Sequence, residues 1–315
     1  MRPNFFIVGA AKCGTTSLYH YLRQHPDVFM PYSREQFWQY KEPNFFCNEL
    51  IAWNGLKIEN LDDYLALFAS PGRARRIGEA SALNLYSKTA AQRIAAFNPQ
   101  AKIIIMLRNP IEMMKSWHHD CLRWGHEVER KFEAAVALEE ERRVGNSYPK
   151  GSGYPSCLLY RNMATFSPQV KRYIDAFGRS SVGIWLLEEM SVSPQRTFRE
   201  IAEFLEVDTS FVPSFDVHNR KTPVTSANLT NHFIKRRLRH HMSWLKHVKK
   251  HVPDYVTDLY NKGLSKIARP LDNHSIDPAF LHSLSLQMSP EIDRLSRLID
   301  KDLTHWQTHQ APALA

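Results

Sequence analysis

Phe5-Phe6-Ile7-Val8-Gly9-Ala10-Ala11-Lys12-Cys13-Gly14-Thr15-Thr16-Ser17, continued by Leu18-Tyr19-His20-Tyr21-Leu22, is the stretch from which the rest of the chain is read. The apolar run Phe5 to Val8 predicts a buried strand, the small residues around two glycines a tight turn, and the segment from Thr15 a helix with apolar spacing. A strand, a glycine-containing loop and a helix start together make an anion cradle. Backbone N–H groups close round the ligand, the helix start adds partial positive charge, and Lys12 with the hydroxyls of Thr15, Thr16 and Ser17 completes the donor set. Ala11, Lys12, Cys13, Gly14, Thr15, Thr16 and Ser17 are therefore the predicted contacts to a ligand with terminal anionic oxygens. The alternative is an ordinary glycine-containing turn between strand and helix.

The usual reading of such a loop is a nucleotide kinase or NTPase, in which Lys follows the second Gly directly and is itself followed by Ser or Thr. Here Lys12 precedes Gly14, and Thr15 stands where that lysine would be. The next strongly apolar strand, Ile103-Ile104-Ile105-Met106-Leu107, ends in Arg108-Asn109-Pro110, with no Asp at its tip to hold the magnesium that phosphoryl transfer uses. A sulfuryl group carries a single negative charge in transfer, so hydrogen-bond donors and cations suffice to hold it.

Four motifs in order carry a resemblance: the Gly9 to Thr16 loop, the segment Lys41-Glu42-Pro43-Asn44-Phe45-Phe46, the strand end Leu107-Arg108-Asn109-Pro110 followed by Ser116, and the closing Leu303-Thr304-His305-Trp306. The chain resembles sulfotransferases that use 3′-phosphoadenosine 5′-phosphosulfate (PAPS, leaving PAP), nearest the heparan-sulfate-type and bacterial carbohydrate branch. The resemblance covers most of the chain and weakens between about 123 and 155 and between about 235 and 275. It implies an α/β, P-loop-like three-layer fold with a central parallel sheet flanked by helices, plus helical C-terminal additions. It implies sulfuryl transfer from PAPS to a hydroxyl or amine of a carbohydrate, glycolipid or small metabolite, without a metal. Glu42 matches the family's base, and Lys12 would stabilise charge on the bridging oxygen. Arg108 and Ser116 match the 3′-phosphate contacts, a guanidinium fork and a hydroxyl that can grip one phosphate together. Arg220 and Lys221, in Asn219-Arg220-Lys221-Thr222-Pro223, match the basic loop that closes over the nucleotide. One departure stands out: where the family often has Glu-Lys-Ser/Thr-Pro, this sequence has Glu79-Ala80-Ser81-Ala82, so one active-site cation is missing.

Read on its own chemistry, Glu42 is a carboxylate able to take a proton from an acceptor, or a loop carboxylate paired with Lys41. Lys41 contacts the transferred group or orients Glu42. Glu79 is a second carboxylate candidate. His118 and His119 are adjacent on one helix, so at most one faces a site.

At 315 residues and 43% hydrophobic content the chain can bury a full core. A single domain over 1–315 is expected, with a core of about 1–225, a basic helical insertion at about 228–275 and a C-terminal helix at about 280–306. No apolar run approaches the roughly 18 residues of a membrane span, and no secretory signal pattern opens the chain, so a cytoplasmic protein is expected. Cys13, Cys47, Cys121 and Cys157 lack metal-ligand spacing and fit reduced thiols. Cys13 either has a lowered pKa in the anion loop or simply fills it as a neutral group.

The net charge of +9 is local: the segment Lys235 to His251 contains seven Lys or Arg and no Asp or Glu. Apolar residues recur there three or four apart, so the cluster reads as an amphipathic helix. It would dock an acidic surface, polyanion or anionic membrane, or else pack by its apolar stripe with a solvated basic back. Specific nucleic-acid binding is not expected of so local a patch. Elsewhere, Tyr32 to Tyr40 reads as loop lining a cleft, Phe132 to Val144 as a charged helix with a solvated face, Glu188-Glu189-Met190 as a polar strand exit, and Ile292 to Trp306 as a helix with an aromatic anchor. Two rivals remain: an ATP-using kinase and a non-enzymatic polyanion- or membrane-binding protein.

Overall fold

The computed structural model describes residues 1–34, 36–51, 58–149, 152–216 and 275–307, and the structural statements below refer to these. Strands β1 (Phe5–Gly9), β2 (Val28–Phe29), β3 (Arg76–Ala80), β4 (Lys102–Leu107) and β5 (Val182–Leu186) form one sheet in the order β2-β3-β1-β4-β5. All four pairings are parallel. Strands β1 and β5 are buried along their whole length, which is why they read as unbroken apolar runs and not as alternating ones. Phe5 pairs with Gly78, and a Cβ added at Gly78 would run into the Phe5 ring and the Met30 sulfur, so that strand position has no room for a side chain.

The helices are α1 (Thr15–Leu22), α2 (Phe37–Lys41), α3 (Leu61–Ala66), α4 (Ala90–Phe97), α5 (Pro110–Trp124), α6 (Phe132–Ala137), α7 (Glu139–Arg143), α8 (Tyr160–Ala164), α9 (Phe166–Phe177), α10 (Leu187–Val192), α11 (Pro194–Phe204) and α12 (Pro278–Ile299). α1 packs on β1, α9 on β4 and β5, and α11 on β5. The central parallel sheet flanked by helices, with a helical C-terminal region, is the expected P-loop-like α/β architecture. After β1 the chain builds β2 and β3 on one side, then crosses to β4 on the other. The carboxyl ends of β3, β1 and β4 thus border the switch point, where doubly wound sheets bind ligands. Among the described residues no helix is long and apolar enough to cross a membrane.

Four local expectations are corrected. Phe37–Lys41, expected as loop, is a single helical turn held by aromatic packing: the Phe37 ring stacks on His20 and meets Tyr19 edge-on. Five residues are too few to show a period. The expected polar exit of β5 is α10, whose Glu189 carboxylate accepts the Leu186 N–H at 2.9 Å, a helix-start device placed three residues after the cap position. The charged stretch Phe132 to Val144 splits into α6 and α7, and its Glu139 and Arg142 are buried. The C-terminal helix begins at Pro278, where the Asp277 side chain accepts the Ala279 N–H, and ends at Ile299; Trp306 lies in a separate 3-10 turn, of which it is the buried residue. The basic segment Lys235 to His251 and the loop carrying Arg220 and Lys221 lie outside the described residues.

Candidate active site

The loop between β1 and α1 lies at the switch point. Ala10 N–H donates to the Met106 carbonyl at 2.7 Å, which ties the loop to β4. Lys12 adopts φ 65° and Gly14 φ 86°, both left-handed, and Gly14 occupies the N-cap of α1. A Cβ on Gly14 would stand 2.6 Å from Leu187 Cδ1, so α10 closes over this glycine from the β5 side. The N–H groups of Thr15, Thr16 and Ser17 open the helix and have no intrahelical acceptor, and among the described residues no N-cap side chain takes them, so their dipoles add at the loop. Ala11, Cys13 and Thr15 are buried within it, while Lys12, Gly14, Thr16 and Ser17 keep partial exposure. Burial pushes the Cys13 thiol up to about 12, so it is a neutral filler of the loop, not a thiolate.

Arg108, at the end of β4, donates from Nη1 to the Lys12 carbonyl at 3.4 Å and lies 3.9 Å from the Glu112 carboxylate. Its neighbour Asn109 caps α5, accepting the Ile111 N–H at 2.9 Å, and donates from Nδ2 to the Trp306 carbonyl at 3.0 Å. The Glu188 carboxylate accepts the Trp306 indole N–H. The closing Leu303 to Trp306 motif is therefore latched to the strand end that carries Arg108 and to α10, which packs against Gly14 of the loop. Ser116 lies half-buried on α5, one helical turn after Glu112 and one before Asp120, on the same face. Asp120, which sequence reading missed, bonds Lys12 Nζ through Oδ2 at 2.6 Å. Its only sequence signal was the four-residue step from Ser116. His118 is buried, with Nε2 2.8 Å from the Glu129 carbonyl and its pKa lowered by burial, so its ring is engaged away from the loop.

Glu42 terminates α2, and its side chain is 17% exposed. Its Oε1 pairs with Lys41 Nζ and its Oε2 accepts the Ala82 N–H at 2.7 Å, just past the tip of β3. Lys41 is fully buried and its ammonium pairs with the Glu42 carboxylate. The Asn44 N–H donates to Ser81 Oγ at 2.9 Å, fixing the same loop a second time. A cation thus stands at this corner although position 80 is alanine. Among the described residues no three His, Cys, Asp or Glu are grouped to hold a metal ion.

Glu79 is wholly buried on β3; Tyr64 donates to its Oε2 at 3.2 Å and its Oε1 has no partner among the described residues. Burial, reinforced by the charge of Glu42, raises its pKa from 4.5 to about 7. Between those values the folded protein keeps a proton that the unfolded chain has lost. The stabilisation is complete below the unfolded value and is lost as pH rises through the folded one. Urea unfolding between pH 5 and 8.5 is expected to show a fall on the order of 3 kcal/mol from this group, and Glu79→Gln should remove it. Parallel pH profiles for the two proteins would refute the assignment.

The family model described as the sulfotransferase domain matches residues 2–264. A sulfotransferase of known crystal structure from Alicyclobacillus acidocaldarius is 30% identical, with a TM-score of 0.70, over 98% of this chain and 100% of that one. The membrane-associated sulfotransferase kil1 of Dictyostelium discoideum is 30% identical over 122 residues, 39% of this chain and 24% of that protein. The bifunctional heparan sulfate N-deacetylase/N-sulfotransferase 1 of Mus musculus is 26% identical over 214 residues, 66% of this chain and 22% of that protein. The match spans about a quarter of the length of these curated relatives. With a family match over most of its length, and a parallel sheet that sets an uncapped helix start at its switch point, this chain belongs to the sulfotransferase domain family.

Proposed function

We propose that the protein transfers a sulfuryl group from PAPS to a hydroxyl or amine, on a carbohydrate, glycolipid or small metabolite. The observation that carries this reading is the delivery of three complementary groups by three adjacent strands. Beyond β1 stands the loop with Lys12 and the uncapped α1, beyond β4 stands Arg108, and beyond β3 the Ala82 N–H holds the Glu42 carboxylate.

In this reading the N–H groups of Thr15, Thr16 and Ser17 orient the anionic end of the donor, and Lys12 stabilises charge on the oxygen that leaves sulfur. Arg108 and Ser116 hold the 3′-phosphate, with Arg220 and Lys221 as further donor contacts. Glu42 takes the proton from the acceptor as its oxygen or nitrogen bonds to sulfur and the sulfur–oxygen bond to the donor breaks. Among the described residues each Glu42 oxygen has one hydrogen-bond partner, which leaves a lone pair for that proton. Lys41 and the Ala82 N–H keep the carboxylate in place.

Calorimetric titration with PAP, and separately with ATP and magnesium, tests the donor assignment. PAP should bind without magnesium, and Arg108→Ala should weaken it by roughly 10- to 100-fold, the worth of a charge-assisted hydrogen-bond pair. Magnesium-ATP binding without PAP binding would replace this reading with a kinase. Unchanged PAP affinity in Arg108→Ala would reject the 3′-phosphate assignment alone.

A further inference from the structure

Among the described residues, Asp120 is the one side chain paired with the loop lysine, and the proposed chemistry leaves it unused. Its carboxylate lies on α5 and reaches Lys12 Nζ at 2.6 Å across 108 residues of chain, with the two side chains 21% and 23% exposed. An acid that close to an anion cradle works against an anionic ligand, since like charges within a few ångströms raise the cost of binding. Lys12 is held from both ends: its carbonyl accepts from Arg108, and its ammonium is taken by Asp120. The left-handed backbone at Lys12 fixes where that side chain starts. Ser116 lies one helical turn before Asp120 on the same face of α5, so the carboxylate stands next to the region assigned to the donor.

We propose that Asp120 is a positioning residue that pairs with Lys12 and competes with the donor's anionic end for that ammonium. This rests on the reading that the loop takes the phosphosulfate end of PAPS. Donor entry then exchanges one ion pair for another at Lys12, and the net gain is the difference between them. Removing the charge of Asp120 leaves Lys12 free, and apparent donor affinity rises by the factor the competition had removed. The effect must pass through Lys12, which distinguishes it from a general change in α5.

The test is a double-mutant cycle read by calorimetric titration with PAP. Asp120→Asn, isosteric and at a partly exposed position, is expected to bind PAP about tenfold tighter, equivalent to about 1.4 kcal/mol. Asp120→Ser serves as a second variant, and thermal unfolding of each confirms a folded chain. In a Lys12→Met background the same substitutions should change PAP affinity by less than about twofold, because their partner is gone. Equal tightening in both backgrounds, or none in either while the parent protein binds PAP, would overturn the role given to Asp120. Failure of the parent protein to bind PAP would instead remove the donor reading, and this inference with it.

Discussion

Glu42→Gln should lower kcat by roughly 10²–10⁴, the range associated with losing a positioned general base, while PAP affinity stays within about twofold. The substitution keeps shape and keeps an oxygen for the Ala82 N–H, but it removes the negative charge, and with it the basicity needed to take the acceptor's proton. It also removes the anionic partner of Lys41, which is buried without exposure to water. A buried ammonium left unpaired costs several kcal/mol, so loss of activity could come from a displaced loop as well as from lost chemistry. Lys41→Met in combination with Glu42→Gln separates the two, because it removes the stranded charge and restores stability without restoring a base. The expected result is recovery of the urea midpoint in the double variant with kcat still depressed. Recovery of turnover along with stability would show that Glu42 acts by holding the loop and not by accepting a proton.

How far this arrangement could be read in advance depended on whether the signal was local. β1, β4 and β5 are buried on both faces, so their apolar runs stand out between polar turns, and Gly9 and Gly14 mark the loop at the chain level. Arg108 and Asn109 follow from the strand end, because Pro110 starts the helix that Asn109 caps. The closing Trp306 was legible as an anchor but not as a latch: its partners Asn109 and Glu188 lie 197 and 118 residues away. Asp120 was illegible for the same reason, since nothing in its own neighbourhood says that it meets Lys12. The cation missing at Ala80 could be noticed from sequence, and a Lys41–Glu42 pair was one of two open readings there; the full burial of Lys41 within that pair was not legible, because α2 is a turn too short to have a period. The acidic character of Glu79 was plain. Its burial against Tyr64, which sets its proton affinity, was not.

The largest stability effect is expected from Arg142→Met, which should cost about 3–5 kcal/mol in urea unfolding by leaving Glu127 charged and enclosed. Sequence reading placed Arg142 on a solvated face, because Glu and Arg alternate densely from Glu139 to Arg143 and composition cannot say which of them turn inward. In the structure Arg142 and Glu127 are 1% and 0% exposed. Arg142 Nη1 and Nη2 meet the two Glu127 oxygens at 2.8 and 3.0 Å, a bidentate pair. The remaining capacity is filled: Tyr160 donates to Glu127 Oε2 at 2.8 Å, the Val128 and Glu129 N–H groups donate to Oε1, and Arg142 donates to the Leu158 and Ser147 carbonyls. Every one of these partners sits in the segments after α5, so the pair fastens α7 and α8 to the end of the helix that carries Ser116 and Asp120. A pair so fully satisfied makes the loss of one member far more costly than the loss of both. Arg142→Met with Glu127→Leu should therefore recover at least half of the deficit, and the double-mutant cycle should show coupling above about 1 kcal/mol. PAP affinity should stay within about twofold in all three variants, since neither residue touches the loop or Arg108. Additive losses in the cycle would mean that the two side chains contribute by packing alone, and the ion pair would then carry none of the stability assigned to it.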